Sequence, residues 1–151
     1  MKKHFNQLAK DAVERFKINR GNLVIDIGGN DGTLSKGFEE IGMRTLCIDP
    51  AEISLTTQNV GIGVINEFFT SKVAKEVRNK RGKARIIAGT NVFAHIDDLF
   101  DFLEGVNILL EDDGILILEF PYLVDLIKKT EFDTIYHEHL SYFAIKPLCY
   151  L

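Results

Sequence analysis

The stretch Leu23–Leu34, LVIDIGGNDGTL, decides the fold. Its first five residues form an apolar, β-branched run with a single acid, which predicts a fully buried parallel strand. A glycine-rich segment at 28–32 (GGNDG) then breaks the run, and Thr33 starts a helical pattern. The order of strand, glycine turn and helix predicts a small-molecule site at the carboxyl end of a parallel sheet. Glycines let a ligand approach the backbone, and the first N–H groups of the helix face the turn.

The spacing of the glycines argues against the two common phosphate-binding loops. A dinucleotide fingerprint needs glycine at positions 28, 30 and 33, but Asn30 and Thr33 occupy two of them, and a P-loop would need Gly-Lys-Ser/Thr at the end of the turn. Asp26, Asn30 and Asp31 instead surround the turn with acceptors. These suit a cationic amine better than a phosphate, because like charges repel. S-adenosylmethionine, with its ammonium, sulfonium and ribose diol, fits this chemistry.

A second acid follows the next predicted strand. Residues 44–48 form another buried run, and Asp49 stands at its end. An acid at that place accepts hydrogen bonds from both ribose hydroxyls, in nicotinamide and methyl-donor sites alike. The pair Asp26 and Asp49 therefore predicts where a cofactor binds, but the pair alone does not name it.

The rest of the chain alternates helices and strands. Further strands are predicted at 63–65, 84–88 and 115–120, and helices at 3–17, 33–41, 71–80 and 99–110. This alternation implies right-handed crossovers and a mostly parallel, doubly wound α/β sheet. Functional side chains should then lie at the carboxyl ends of the strands, and the polar and aromatic residues found there are Asp26, Asp49, Glu67, Phe68, Phe69, Asn91, Glu119, Phe120 and Tyr122.

Composition limits the class of protein. The chain has 151 residues, 46% of them hydrophobic, and a formal net charge of −4, which predicts one globular domain over residues 1–151. The acidic balance argues against nucleic acid or an anionic membrane as partner. No apolar run approaches the ~20 residues of a membrane span and no signal-peptide pattern follows Met1, so a cytoplasmic location is expected.

The run Tyr136-His137-Glu138-His139 near the end of the chain is dense in titratable groups. Three interpretations compete for it. A metal site lacks an obvious third ligand, and the HExxH pattern fails because residue 141 is serine, so no metal is expected. The imidazoles could also be structural polar groups at a sheet end. Acid/base chemistry is favoured, because imidazole accepts a proton at neutral pH and a nearby carboxylate can orient it.

The sequence as a whole resembles the S-adenosylmethionine-dependent sugar C-methyltransferases, which act on nucleotide-linked deoxysugars. The segments that carry the resemblance are VIDIGGNDGTL, CIDPA, INEFF, NVFAHIDDL, LEFPYLVDL and FDTIYHEHLSYF. The YHEHLSYF run behind EFPY is the most specific of them. The resemblance implies a Rossmann-like sheet of the class I methyltransferase type. Family members carry a cysteine-rich segment before this domain, a further domain after it, and two more strands, so a truncated domain is expected.

The resemblance also implies roles for the tail. His139 matches the proposed general base that removes a proton from the sugar carbon beside a ketone. Tyr136 and Glu138 assist it, by hydrogen bonding to the sugar or by orienting the base. A donor must also face the enolate oxygen, and Tyr136, Tyr122 or His137 are the candidates. Methylation of oxygen or nitrogen on another small molecule is the alternative, and a non-catalytic cofactor-binding fragment that needs a partner is the third.

For the cofactor, the family pattern divides the predicted site into parts. Asn91 lies beneath the methionine portion, Asp49 binds the ribose, and Phe68 or Phe69 covers the adenine, where stacking on an aromatic ring is favourable. Either phenylalanine could equally belong to the core. The predicted residues around the methionine portion are Asp26, Gly28, Asn30 and Gly32, and the predicted site also includes Asp31 and Glu67.

Overall fold

The computed structural model describes residues 1–150, apart from the side chains of residues 58–60; the predicted domain ends at Leu151, which lies outside the described residues. Five strands are described: β1 (Leu23–Ile27), β2 (Arg44–Ile48), β3 (Gly63–Ile65), β4 (Ala84–Thr90) and β5 (Leu110–Glu119). Six α-helices are described: α1 (Lys2–Arg15), α2 (Thr33–Glu40), α3 (Ser71–Arg81), α4 (Leu99–Leu109), α5 (Leu123–Lys129) and α6 (Ile145–Leu148). Two 3₁₀ helices span Glu52–Val60 and Phe93–His95. None of the described helices is both long enough and apolar enough to cross a membrane.

All five strands are parallel, in the order β3-β2-β1-β4-β5. The central strand is β1, in which Asp26 is paired with Cys47 of β2 on one side and with Ala88 of β4 on the other. All five residues of β1 are buried, as its continuous apolar pattern predicts. The predicted doubly wound parallel sheet is confirmed.

Both faces of the sheet are covered by helices. On one face, α1 and α2 pack on a cluster that contains Val24 and Ile86. On the other, α3 and α4 pack on a cluster that contains Ile25 and Ile87. This two-sided burial is the usual environment of a parallel sheet. Since helices cover both faces, the polar side chains of the sheet meet at the carboxyl ends of the strands, which we call the carboxyl edge.

The start of the chain differs from the prediction in one respect. A helix is predicted over 3–17, but α1 ends at Arg15, and Phe16 lies beyond the helix and is 44% exposed. The buried face of α1 is instead made by the small residues Ala9 and Ala12. Small side chains let α1 approach α2 closely, and a Cβ added at Gly37 of α2 would lie 3.0 Å from the Asn6 side chain.

The fifth strand is longer than predicted. The strand is predicted to start at residue 115, but β5 begins at Leu110 and continues through residues 112–114, Asp-Asp-Gly. A register shift opposite residues 84–86 of β4 accommodates the extra length. The acidic side chains stay in the strand because Arg85 of β4 contacts both Glu111 and Asp113. Among the described residues β5 pairs with β4 alone, so its outer side is an edge.

Candidate active site

The chain leaves β1 through a tight loop that small residues make possible. Gly28 and Gly32 have φ angles of +68° and +72°, and Asn30 between them has +50°. L-residues other than asparagine and aspartate rarely adopt this left-handed region. A Cβ at Gly28 would also lie 2.8 Å from the Val92 side chain. The loop is therefore a backbone cradle, and its first and last glycines are required by conformation.

Gly29 is required for a different reason, which is the lack of space around it. A Cβ at this position would lie 2.7 Å from the Cys47 sulfur and 2.8 Å from the carboxylate carbon of Asp26. Both of those side chains are fully buried. Neither has room to move aside.

We expect Gly29→Ala to lower the free energy of unfolding by about 1–3 kcal/mol, the usual cost of overpacking a core. Denaturant titration of the variant measures this loss. Gly63→Ala is the matched control, because neither glycine has a positive φ and the nearest atom to a Cβ at Gly63 is the end of the Leu46 side chain, at 3.3 Å. A Gly29→Ala variant no less stable than the Gly63→Ala variant would show that the space beneath the loop can expand.

Asp49, at the end of β2, fixes the position of the glycine loop. Its Oδ2 accepts a hydrogen bond from the Asn30 amide at 2.8 Å, and its Oδ1 accepts one from the Ala51 amide at 2.7 Å. The residue is only 6% exposed. Each carboxylate oxygen can accept a second hydrogen bond. Asp49 can thus hold the loop and still present two acceptors to a ligand, as a diol requires.

Asp26 is fully buried beneath the same loop. Its Oδ2 accepts hydrogen bonds from the amide and the hydroxyl of Ser35, at 3.2 and 2.8 Å, while its Oδ1 has no partner among the described residues. Burial raises the pKa of this carboxyl from 3.8 to about 6, although the two Ser35 hydrogen bonds oppose the shift. The negative charges of Asp49 and Asp31 raise it further.

Asp31 has a local structural role at the start of α2. Its carboxylate accepts hydrogen bonds from the amide and the hydroxyl of Thr33, at 3.0 and 2.7 Å. An oxygen acceptor at this place satisfies a free N–H of the first helical turn. Asp31 therefore orders the beginning of α2, and its exposed side chain still lines the smaller of two cavities at this edge of the sheet.

Those two cavities meet at the carboxyl edge of the sheet. The larger, about 440 Å³, has a mostly apolar wall and extends from the glycine loop to α4. The smaller, about 310 Å³, lies beside the start of α2 and is lined by Asp26, Asn30 and Asp31. Gly28 and Asn91 line both cavities. An elongated ligand that passes over these two residues would occupy both.

The larger cavity distinguishes the two phenylalanines predicted to cover an adenine. Both line it, but Phe69 also packs edge-on against Phe102, with ring centroids 5.3 Å apart. Phe68 is 74% exposed and is the ring free to stack on a ligand. Glu67 is exposed and lines neither cavity. Its predicted role in cofactor binding has no support from this geometry and stays a prediction.

His139 is held by two hydrogen bonds within its own segment. Its Nδ1 lies 2.8 Å from the carbonyl oxygen of Thr134, and its Nε2 lies 3.1 Å from the hydroxyl of Tyr136. A carbonyl oxygen can only accept, so the proton of the neutral ring is on Nδ1. Nε2 therefore carries the lone pair and accepts from Tyr136. The side of the ring that faces Tyr136 is the basic side.

The other two polar residues of this motif point away from His139. The side chain of His137 is 90% exposed, and its Nε2 lies 3.9 Å from the Glu138 carboxylate, which is also exposed. The carbonyl of Thr134, and not Glu138, orients the His139 ring. The assisting role expected of Glu138, and contact of Glu138 or His137 with a substrate, stay predictions.

Tyr122 connects β5 to the tail. It forms an isolated parallel bridge with Phe143, and the next amide, Leu123, donates to the Phe143 carbonyl at 2.9 Å. Tyr122 is half-buried at the start of α5. These contacts bring the histidine segment back to the carboxyl edge of the sheet. The predicted role of Tyr122 in substrate binding stays a prediction.

The structure also brings His95 into the site, although the sequence suggested no role for it. Its ring centroid lies 4.9 Å from that of His139, and its side chain lines the larger cavity. The amides of Leu140 and Ser141 donate to the Ala94 carbonyl at 2.9 and 3.2 Å, which fastens the tail beside His95. The available signal was the place of His95 in the loop that follows β4, where parallel sheets carry their site residues.

Within residues 1–150, no group of three histidine, cysteine or acidic side chains is arranged to hold a metal ion. His137 is exposed to solvent, whereas His139 bonds to Thr134 and Tyr136. The arrangement instead combines an oriented imidazole with a nearby phenol.

A parallel sheet of this strand order, with a glycine loop after β1 and an acid after β2, is the architecture of the class I, S-adenosylmethionine-dependent methyltransferases. The chain belongs to the methyltransferase domain family, whose model matches residues 1–150. Over 149 residues it is 40% identical to the C-methyltransferase NovU of Streptomyces niveus, a match that covers 98% of this chain and 36% of that protein. The chain thus spans about a third of that relative's length. The resemblance inferred from the sequence is confirmed.

Solved structures agree with the fold. A SAM-dependent methyltransferase from Archaeoglobus fulgidus superposes with a TM-score of 0.73 at 18% identity, covering 96% of this chain and 66% of the other. Coclaurine N-methyltransferase, bound to N-methylheliamine and SAH, gives 0.66 at 16% identity, covering 97% and 47%. At these identities the likeness concerns the fold, and it confirms the Rossmann-like prediction. S-adenosylmethionine, predicted from the sequence, is confirmed as the cofactor of this fold family.

Proposed function

We propose that this chain is the catalytic domain of an S-adenosylmethionine-dependent C-methyltransferase that acts on a keto-deoxysugar nucleotide, with His139 as general base. The 40% identity to a C-methyltransferase supports transfer to carbon. The observation that carries the proposal is the hydrogen bond from His139 Nδ1 to the Thr134 carbonyl, which leaves Nε2 basic. Transfer to carbon needs such a base, because the carbon nucleophile must be made by deprotonation, whereas an amine can already be nucleophilic.

The two cavities fit the cofactor in shape and chemistry. The larger, apolar one suits the adenosine, with Phe68 as stacking partner and Asp49 as acceptor for the ribose hydroxyls. The smaller, acidic one suits the methionine portion. The buried Oδ1 of Asp26 can accept a hydrogen bond but has no partner among the described residues. An ammonium group is the donor that its negative charge favours. The reacting sulfonium would then lie near Gly28 and Asn91, where the cavities meet.

When bound, S-adenosylmethionine supplies an electrophilic methyl group on its sulfonium. His139 Nε2 takes the proton from the substrate carbon beside the ketone, and the C–H electron pair becomes the enolate nucleophile. Asp49, Asp26 and Phe68 would hold the cofactor so that its methyl group is available to this carbon, with the thioether as the leaving group. The ring then carries a proton on both nitrogens, and the Thr134 carbonyl stabilises the resulting imidazolium through Nδ1–H.

Tyr136 is the donor for the enolate oxygen in this mechanism. Its hydroxyl is 3.1 Å from Nε2, at the place where the substrate proton must arrive. A bound ketone would draw this hydroxyl to its own oxygen and free the lone pair of Nε2. A phenol placed beside a developing enolate stabilises the negative charge that forms there.

Hydrogen exchange at carbon tests this function. A protein that forms the enolate should exchange the proton beside the ketone of a keto-sugar nucleotide for deuterium in D₂O, and should methylate the same carbon when the cofactor is added. Mass spectrometry reports both events. Methyl transfer to oxygen or nitrogen without exchange would replace the proposal by the alternative chemistry, and no transfer at all by a protein that binds cofactor would favour a non-catalytic role.

We expect Asp49→Ala to weaken S-adenosylmethionine binding at least tenfold. The change removes the acceptors proposed for the ribose and also the bonds that hold the Asn30 and Ala51 amides, and hydrogen bonds to a charged group are worth about 1.5–3 kcal/mol each. Calorimetric titration of wild type and variant measures the change. Equal affinity in the two proteins, with both shown to be folded by circular dichroism, would contradict the assignment.

A further inference from the structure

The first turn of α1 forms part of the wall of the smaller cavity. Met1 and Phe5 line it together with residues of the glycine loop and with Thr90 and Asn91 at the end of β4. Helix α1 therefore has a second surface besides the one that packs on α2. That surface faces the space assigned above to the methionine portion of the cofactor.

Helix α1 is attached on two sides of this cavity. Along its length it packs on α2, where Asn6 also donates to Glu40 at 3.1 Å. At its start, His4 Nε2 lies 2.6 Å from the carboxylate of Glu119, which is 115 residues away at the end of β5. Glu119 is paired with Thr90 in the sheet, and its carbonyl accepts from the Asn91 amide at 2.7 Å. The helix start thus reaches from α2 to β5 beside the cavity.

We propose that His4 and Glu119 are positioning residues for the methionine half of the cofactor. Their contact holds the first turn of α1 in place, so that Phe5 closes the smaller cavity over the amino-acid chain of the ligand. Neither residue is assigned to contact the ligand itself; they act through the position of Phe5. This inference rests on the proposed function, because it takes the smaller cavity as the methionine site.

The exposure of His4 and Glu119 distinguishes a positioning role from a contribution to the stability of the whole fold. The side chains of His4 and Glu119 are 58% and 35% exposed. Exposed pairs of this kind contribute little to the stability of a fold. The buried contacts Ala9 and Ala12 keep α1 on α2 when the pair is broken. Loss of the pair should therefore loosen the helix start while leaving the rest of α1 folded.

The test compares two ligands that differ only in the part near α1. S-adenosylhomocysteine carries the amino-acid chain, and 5′-methylthioadenosine lacks it. We expect His4→Ala and Glu119→Gln to raise the dissociation constant of S-adenosylhomocysteine by about three- to fivefold, the range of a partly exposed pair, and to leave that of 5′-methylthioadenosine unchanged. His4→Gln, which keeps a side-chain donor, should restore part of the affinity.

Lys83→Met is the matched control, because Lys83, just before β4, forms a partly exposed pair with Asp112 of β5 at 2.7 Å, with the two side chains 31% and 97% exposed. It should change neither dissociation constant. Equal weakening of both ligands by His4→Ala, or no weakening of either, would overturn the inference while leaving the cofactor site intact. A wild-type protein that binds neither ligand would overturn the proposed function, and the inference with it.

Discussion

His139→Ala is expected to lower kcat for methyl transfer by about 10²- to 10⁴-fold, the usual contribution of a positioned general base. The affinity for S-adenosylmethionine should stay within about twofold of wild type, since His139 does not line either cavity assigned to the cofactor. Deuterium exchange beside the ketone should be lost to the same extent, because the base acts before the methyl group moves. Steady-state kinetics, calorimetry and mass spectrometry measure these three quantities.

The second histidine of the motif supplies the comparison. His137 is two residues away, but its side chain is 90% exposed, with the exposed Glu138 carboxylate at 3.9 Å and the Tyr136 ring centroid 6.3 Å from its own. We therefore expect His137→Ala to keep most of the activity, although both histidines belong to the same motif. Equal losses in the two variants would contradict the assignment of the base to His139. Loss of cofactor binding in His139→Ala would show instead that the residue supports the fold of the site.

The sequence was sufficient for the sheet because local patterns determine it. The buried run of β1, the glycines after it and the acid after β2 predict the central strand, the loop and Asp49 without any long-range information. The limits of β5 could not be predicted in the same way. Its acidic residues resemble a turn, and they remain in the strand because Arg85 of β4 contacts two of their side chains.

The candidate catalytic cluster depends on contacts distant in sequence, so the sequence predicts its members incompletely. The motif predicts His139 and Tyr136, but His95 joins them only because the Ala94 carbonyl binds the amides of residues 140 and 141. The choice between Phe68 and Phe69 is likewise made by packing: one ring is against Phe102 and the other in solvent. Both residues have the same side chain, and no local pattern distinguishes them.

Asp26 shows how the site and the stability of the fold are coupled. Its carboxyl is fully buried, and its pKa is raised from 3.8 to about 6. Because the pKa is raised, the free energy of unfolding is highest while the carboxyl is protonated. It falls as the pH rises through about 6. By linkage, a shift of this size costs the folded protein about 3 kcal/mol once the pH is well above 6. A cofactor ammonium beside Oδ1 would offset that cost.

Asp26→Asn should therefore change stability and binding in opposite directions. Between pH 5 and pH 8 the variant should gain about 1–2 kcal/mol of unfolding free energy relative to wild type, since it removes the group whose ionisation is penalised. A change in unfolding free energy that the amide causes equally at both pH values cancels, because the prediction compares the stability difference at pH 5 with that at pH 8. At pH 8, affinity for S-adenosylmethionine should fall by about 10- to 100-fold, the worth of one hydrogen bond to a charged group.

Denaturant titrations at the two pH values and calorimetry at pH 8 measure these effects. Ser35 can still donate to the amide oxygen that replaces Oδ2, so the local structure around α2 should persist. A stability difference that does not vary with pH would mean that Asp26 ionises normally in the fold. Unchanged affinity would mean that its free oxygen faces no ligand cation. Both effects are expected together, because the buried charge that destabilises the free protein is the same charge that would bind the ammonium group of the ligand.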